Sequence, residues 1–181
     1  MGRCGSSMVM QMLAASGVEC GCSAPLYERD DIAEGMRMSA RWFAQMGAVK
    51  VLAPQLFHID PMANIRVIWL RRDLDEQAKS YIKCARAMGV AKHPDVSEAV
   101  VHQHYRDKIE EYCGIGLAAL RGFPTMMLSF EGVLSDPVRA AVKIEAFVPE
   151  AELSVHQMAS AVVPRTPACR PEVEFDVVGE A

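Results

Sequence analysis

The chain begins Met1-Gly2-Arg3-Cys4-Gly5-Ser6-Ser7, and an almost wholly apolar run follows as Met8-Val9-Met10-Gln11-Met12-Leu13-Ala14-Ala15-Ser16-Gly17. The glycines at positions 2 and 5 let the backbone adopt left-handed conformations that other residues resist. An apolar run of this length is typical of a buried helix, and a glycine commonly ends one. The sequence therefore predicts a loop over residues 2–7 and a buried helix from about Ser7 to Ser16.

The loop has the composition of an anion-binding site. The first amides of a helix have no intrahelical partner, and the helix dipole favours negative charge at that end. The hydroxyls of Ser6 and Ser7 suit helix capping, and the forked guanidinium of Arg3 suits a phosphate. A glycine turn that merely precedes a buried helix stays an equal alternative, because the lysine of the G-x-x-x-x-G-K-[ST] loop is missing.

The rest of the chain alternates between expected strands and helices. The near-continuous apolar run Ile65–Leu70 suits a parallel strand covered on both faces. Asp73 and Glu76 form a capping-box pattern at the start of a helix, and Asp136 with Pro137 marks another helix start. The order predicts an α/β fold with a mostly parallel sheet. We expect further strands at Ala48–Ala53 and Thr125–Phe130, and helices at Gly35–Met46, Asp73–Met88, Val96–Leu120 (a break near Gly114 and Gly116 stays open), Asp136–Phe147 and Glu150–Ser160.

Length and composition set outer bounds on the function. A chain of 181 residues with 51% hydrophobic residues is expected to form a single domain over residues 1–181, with little periodicity in 161–181. No apolar run reaches the roughly 18–20 residues that span a bilayer. The formal net charge of −4 disfavours broad nucleic-acid binding. The six cysteines show no paired C-x-x-C zinc pattern, so we expect reduced thiols in a cytoplasmic protein without a bound metal.

Three segments along the chain form a pattern together. After the loop at residues 2–7 come Arg72-Asp73-Leu74-Asp75-Glu76-Gln77-Ala78-Lys79-Ser80 and Ser129-Phe130-Glu131-Gly132-Val133-Leu134-Ser135-Asp136-Pro137. In this order they resemble the P-[KR]-[ST]-G-[ST]-[ST], R-D-P-x-D-x-x-x-S and Y-E-D-L-x-x-D-P segments of the sulfotransferases that use 3′-phosphoadenosine 5′-phosphosulfate (PAPS). The resemblance covers Gly2 to about Val148 and implies a small or truncated member of that family.

The resemblance implies a three-layer fold similar to the P-loop NTPases, with a mostly parallel sheet flanked by helices. It implies transfer of a sulfuryl group from PAPS to a hydroxyl or amine. Arg72 and Ser80 would bind the 3′-phosphate of PAPS and of its product adenosine 3′,5′-bisphosphate, and Arg3 would also neutralise charge on the leaving phosphate. The sequence departs from the family pattern at Cys4, Leu74 and Glu76. The residues implied to hold the 5′-phosphosulfate are Gly2, Arg3, Cys4, Gly5, Ser6 and Ser7.

The general base of such a reaction is not fixed by the resemblance. Many family members carry a histidine in a K-T-H-L-P segment, and the matching position here is Leu52. Glu28, in the loop after the first helix, is the first candidate, and His58 is the second. A plain surface carboxylate is the competing interpretation of Glu28. Arg165 and Arg170 are candidates to close over the nucleotide, against the alternative of a solvated tail.

Two other functions stay open. One is a P-loop nucleotide or small-molecule kinase, which the missing loop lysine disfavours. The other is a degenerate, non-catalytic nucleotide-binding module. The acceptor is expected to be a small molecule or a glycan, with no nucleic acid and no membrane span, and homo-oligomerisation is left open.

Overall fold

The computed structural model describes residues 3–22, 24, 27–89 and 96–169 of the chain. Helices dominate these ranges, and two strands lie among them. The strands are β1 (Val67–Arg71) and β2 (Thr125–Ser129), and short 3₁₀ helices cover Ala53–His58 and Pro149–Ala151. The α-helices are α1 (Ser6–Ala15), α2 (Asp30–Ala33), α3 (Ala40–Phe43), α4 (Leu74–Ala87), α5 (Glu98–Ala119), α6 (Phe130–Ser135), α7 (Pro137–Phe147) and α8 (Val155–Ser160).

The two strands form a parallel pair. Val67 lies opposite Thr125 at one end, and Arg71 lies opposite Ser129 at the other. A parallel pair needs a long crossover, and α4 and α5 supply it. These helices pack against each other through the rings of Tyr81 and Tyr105, whose centroids are 4.9 Å apart.

The apolar core joins α1 to β2 and to the helices that follow β2. Met12, Ile144 and Met158 are fully buried in it and come from α1, α7 and α8. Burying each such side chain contributes about 1.5–3 kcal/mol relative to exposure. The predicted first helix is thus confirmed, and its burial fixes where the preceding loop lies. The buried members of this core are Met8, Val9, Met12, Leu13, Leu128, Phe130, Val133, Ala140, Ala141, Ile144, Leu153, Met158 and Val162.

Local signals placed the later elements well. Asp73 and Asp136 cap α4 and α7 as expected, since their side chains accept hydrogen bonds from the amides of Glu76 and Arg139. The helix α5 runs unbroken through both of its glycines. Gly116 faces Trp69 of β1 so closely that a β-carbon would lie 2.7 Å from the indole ring, so this glycine allows α5 to approach the strand.

Two expected elements are wrong. The expected helix Gly35–Met46 is reduced to the single turn α3, because Met38 adopts extended pairing instead. Its amide donates to the carbonyl of His58 (2.8 Å), and its own carbonyl accepts from the amide of Asp60 (2.9 Å). The expected strand Ala48–Ala53 forms only an isolated bridge between Ala48 and Cys20.

The observed sheet is therefore smaller than expected. The α/β class and the parallel pairing are as predicted, but the sheet in the described residues has two strands. Among the helices of these residues, none is both long and apolar enough to cross a lipid bilayer.

The caps provide a test of the fold. Asp136→Ala removes the oxygen that accepts from the Arg139 amide at 2.9 Å, so we expect a loss of about 0.5–2 kcal/mol in the free energy of unfolding. Ser97→Ala is the matched control, because Ser97 precedes α5 without a side-chain capping bond. Urea unfolding of both variants checks this, and equal losses would contradict the assigned role of Asp136.

Candidate functional site

The loop before α1 and the helix after β1 meet at the carboxyl end of β1. The Nε of Arg3 donates to the hydroxyl of Ser80 in α4 at 3.2 Å, and Ser80 is buried. The Nη1 of Arg72 donates to the carbonyl of Arg3, also at 3.2 Å. Arg3 is thus in direct contact with two other residues that the sequence singled out, Arg72 and Ser80, which lie 69 and 77 positions further along the chain.

The loop is held in an unusual backbone conformation. Gly5 is the N-cap of α1 with φ of 91°, and Arg3 has φ of 72° although it is not a glycine. Such a conformation costs a non-glycine residue about 1–2 kcal/mol. Ser6 and Ser7 are the first helical residues and not the cap, so the capping role expected for their hydroxyls is wrong. Their amides belong to the helix end that has no intrahelical acceptors.

Arg72 presents a buried donor at this end of the sheet. Its guanidinium lies 4.6 Å from the centre of the Phe130 ring, and its Nη2 donates to the carbonyl of Pro167 at 2.7 Å. The Nε is buried and has no hydrogen-bond partner among the described residues. Burial lowers the pKa of the guanidinium, and the nearby charge of Arg3 lowers it further. An anion at this place would satisfy the orphaned donor and offset the repulsion between the two arginines.

The third segment of the sequence pattern, residues 129–137, contacts the carboxyl end of β1 through Phe130 and Glu131. The carboxylate of Glu131 accepts from the amide of Asp73 at 3.0 Å, directly after Arg72. Gly5 also packs on Phe130, since a β-carbon on Gly5 would lie 2.5 Å from the ring. The Phe130 ring therefore contacts both the loop and Arg72, and the guanidinium of Arg165 lies 5.4 Å from the same ring.

Lys50 is a site residue that the sequence did not single out. Its side chain is only 6% exposed, and its Nζ donates to Glu28 Oε1 at 2.6 Å and to Ser7 Oγ at 3.3 Å. A buried lysine needs such partners, because desolvating its charge is costly. The signal is one lysine inside the apolar run Ala48–Ala53, for which the sequence predicts a strand. Lys50 links the candidate base Glu28 to Ser7 at the start of α1.

The remaining candidates lie in different settings. The Glu28 side chain is about half exposed, at 49%. His58 is exposed at the end of a 3₁₀ helix, and no hydrogen bond joins it to Arg3, Arg72 or Ser80 within the described residues. Burial raises the pKa of the Cys4 thiol. Gly2 and Arg170 lie outside the described residues.

Comparisons of the chain with protein-family models, with curated proteins and with solved structures found no match.

The loop conformation makes a testable difference between two glycines. Gly5→Ala adds a methyl group against Phe130 at positive φ, whereas Gly17→Ala has the same kind of φ (87°) and open space around it. We expect Gly17→Ala to lower the free energy of unfolding by about 1 kcal/mol. Gly5→Ala should lower it by distinctly more, because the clash adds to the backbone strain. Thermal unfolding of both variants measures this, and an equal loss would exclude tight packing of the loop on Phe130.

Proposed function

We propose that this protein transfers a sulfuryl group from PAPS to a hydroxyl or amine of a small-molecule or glycan acceptor. The observation that carries the proposal is the direct contact of Arg3 with both Arg72 and Ser80. The sequence resemblance assigns these residues to the two phosphate groups of one nucleotide. The wider fold under this proposal is a three-layer, P-loop NTPase-like arrangement with a mostly parallel sheet.

Each end of the nucleotide has donors of a suitable kind. The 3′-phosphate would accept from Arg72 and from the hydroxyl of Ser80, and the orphaned Nε of Arg72 supports that assignment. The 5′-phosphosulfate would lie at the amino end of α1, where Ser6 and Ser7 present amides and hydroxyls. Lys50 adds a buried positive charge beside Ser7.

Sulfuryl transfer asks the protein for positioning and for charge stabilisation. PAPS supplies the sulfuryl group and an adenosine bisphosphate leaving group. Arg3, Lys50 and the dipole of α1 would stabilise negative charge on the leaving phosphate. Glu28, whose carboxylate accepts a hydrogen bond from Lys50, would take the proton of the acceptor.

The first test is nucleotide selectivity, read by thermal shift with adenosine 3′,5′-bisphosphate, AMP and ATP with Mg²⁺. A ligand at 100 times its dissociation constant stabilises by about 2.7 kcal/mol. We expect the bisphosphate to stabilise most. Arg72→Ala should weaken its binding by roughly 1.5–3 kcal/mol, through loss of a charge-assisted contact. Arg71→Ala is the matched control, since Arg71 is exposed and one residue away.

Other results of this series argue for other functions. Equal shifts with AMP and the bisphosphate would exclude a 3′-phosphate site. A preference for ATP with Mg²⁺ would favour a kinase. Bisphosphate binding by a protein that turns over no acceptor would leave a non-catalytic nucleotide-binding module.

The second test concerns the base. Glu28→Gln keeps the shape of the side chain and removes its basicity, so turnover should fall by about 10²–10⁴-fold while bisphosphate affinity stays nearly unchanged. His58→Asn serves as the comparison, because His58 is exposed and has no hydrogen bond to Arg3, Arg72 or Ser80. Turnover and affinity are measured for both variants. Full activity of Glu28→Gln together with loss in His58→Asn would transfer the role to His58.

A further inference from the structure

Residues 165–169, which we call the strap, lie beside the carboxyl end of β1 and are held there by polar contacts. The carbonyl of Pro167 accepts from Arg72 Nη2 at 2.7 Å, and the amide of Cys169 donates to Glu76 Oε2. All residues of the strap except Cys169 are exposed, so apolar burial contributes little to its position. The strap is therefore held mainly by charged side chains, and these include Arg72 of the candidate anion site.

The contact with Pro167 leaves one donor of the Arg72 guanidinium unused. The Nε and one Nη of an arginine form a rigid fork that can donate in parallel to two acceptors. Arg29 and Arg66 show this fork in the same protein, since each donates from Nε and Nη2 to the two oxygens of one carboxylate. At Arg72 the Nη2 donates to a single carbonyl, and the buried Nε has no partner among the described residues.

An anion that binds both donors of this fork must displace a group that now covers it, because the Nε is buried. The guanidinium of Arg72 contacts the Phe130 ring, the Arg3 carbonyl and the Pro167 carbonyl. Phe130 belongs to the apolar core, and Arg3 has a further hydrogen bond to the buried Ser80. The strap is the exposed one of these groups, so it is the group that an anion displaces.

A phosphate or sulfate group also suits Arg72 better than the strap does. A carbonyl offers one neutral oxygen, whereas such an anion offers a charged oxygen to each donor of the fork, and two parallel bonds add energy as well as geometry. The anion would in addition offset the repulsion between Arg72 and Arg3. The polar groups of the released strap would pair with water, so its release costs little.

We propose that the strap is autoinhibitory: it occupies the anion site at Arg72 in the ligand-free protein, and a bound phosphate or sulfate group displaces it. Glu76 is the positioning residue of the strap, since its carboxylate holds the Cys169 amide. The strap lowers the affinity of the site for anions that bind through Arg72 alone, and it favours ligands that also contact other parts of the site. The proposal rests on the proposed function only in placing a nucleotide phosphate at Arg72.

The test follows hydrogen exchange of the Cys169 amide in the full chain, without added anion, with inorganic sulfate and with adenosine 3′,5′-bisphosphate. Displacement of the strap breaks the bond of this amide to Glu76, so its exchange should become several-fold faster when either anion binds. The amide of Arg139 is the internal control. It donates in the same way to a carboxylate, that of Asp136 at 2.9 Å, and its exchange should not change.

A variant that keeps all charges tests the role of Glu76. Glu76→Asp shortens the side chain by one methylene group and so weakens its hold on the Cys169 amide. That amide should exchange faster without anion, and sulfate should bind up to about 10-fold more tightly, which is the low end of what a hydrogen bond to a charged group contributes. Asp75→Glu is the matched control, because Asp75 lies in the same helical turn and pairs with Arg106 instead.

The outcomes separate this proposal from the proposed function. Slower exchange of the Cys169 amide on addition of anion would mean that the segment closes over the ligand, and would overturn the proposal. Unchanged exchange at every concentration of sulfate and bisphosphate, or unchanged sulfate affinity in Glu76→Asp, would overturn it as well. Release of the strap by sulfate, without a preference for the bisphosphate over AMP, would support the strap and reject the 3′-phosphate site.

Discussion

Burial of α1 is the constraint on which the rest of the structure depends. Five of its ten residues are buried, and they contact β2, α7 and α8. A helix held this firmly fixes the direction of its amino end. Gly5, at the start of this helix, packs closely on the ring of Phe130. The loop therefore lies at the carboxyl end of the parallel pair, where ligands of open α/β sheets bind.

Positive charge is concentrated at the amino end of α1. Arg3, Lys50 and Arg72 converge on the amino end of a helix whose dipole is also positive there. Each cation is stabilised locally: Lys50 by the Glu28 carboxylate, and Arg72 by two carbonyls and the face of Phe130. Burial lowers the pKa of the Arg72 guanidinium, and the charge of Arg3 lowers it further, although the carboxylates of Glu131 and Glu76 act in the opposite direction. Hydrogen bonds from charged donors such as these are stronger with an ionised acceptor than with a neutral one.

The sequence predicted what local signals determine. The caps at Asp73 and Asp136, the apolar run of β1 and the glycine after α1 each specify an element through a few neighbouring residues. The resemblance assigned Arg3, Arg72 and Ser80 to one nucleotide, but it did not predict the hydrogen bond between Arg3 and Ser80. The wrong predictions concern elements that depend on contacts between residues far apart in the sequence. Met38 is not helical because its backbone pairs with residues 58–60. No residue between positions 35 and 46 indicates that pairing.

The environment of Lys50 could not be predicted from the neighbouring sequence either. In an apolar run, one lysine is compatible with an edge strand, a solvated turn or a buried ion pair. The buried ion pair forms because Glu28 and Ser7, from two other parts of the chain, lie beside Lys50 in the folded structure. The ion pair also explains why residues 48–53 have the sequence of a strand but form little backbone pairing. Their sequence suits a covered position in a sheet, but within the described part of the chain only Ala48 pairs with another extended residue, Cys20, and Val49 and Val51 line a cavity. At the loop, the strained backbone of Arg3 is held by two contacts: its carbonyl accepts from Arg72, and its Nε donates to Ser80. These contacts fix the orientation of the Arg3 side chain, which is what the strained backbone of a residue that must point in one direction requires.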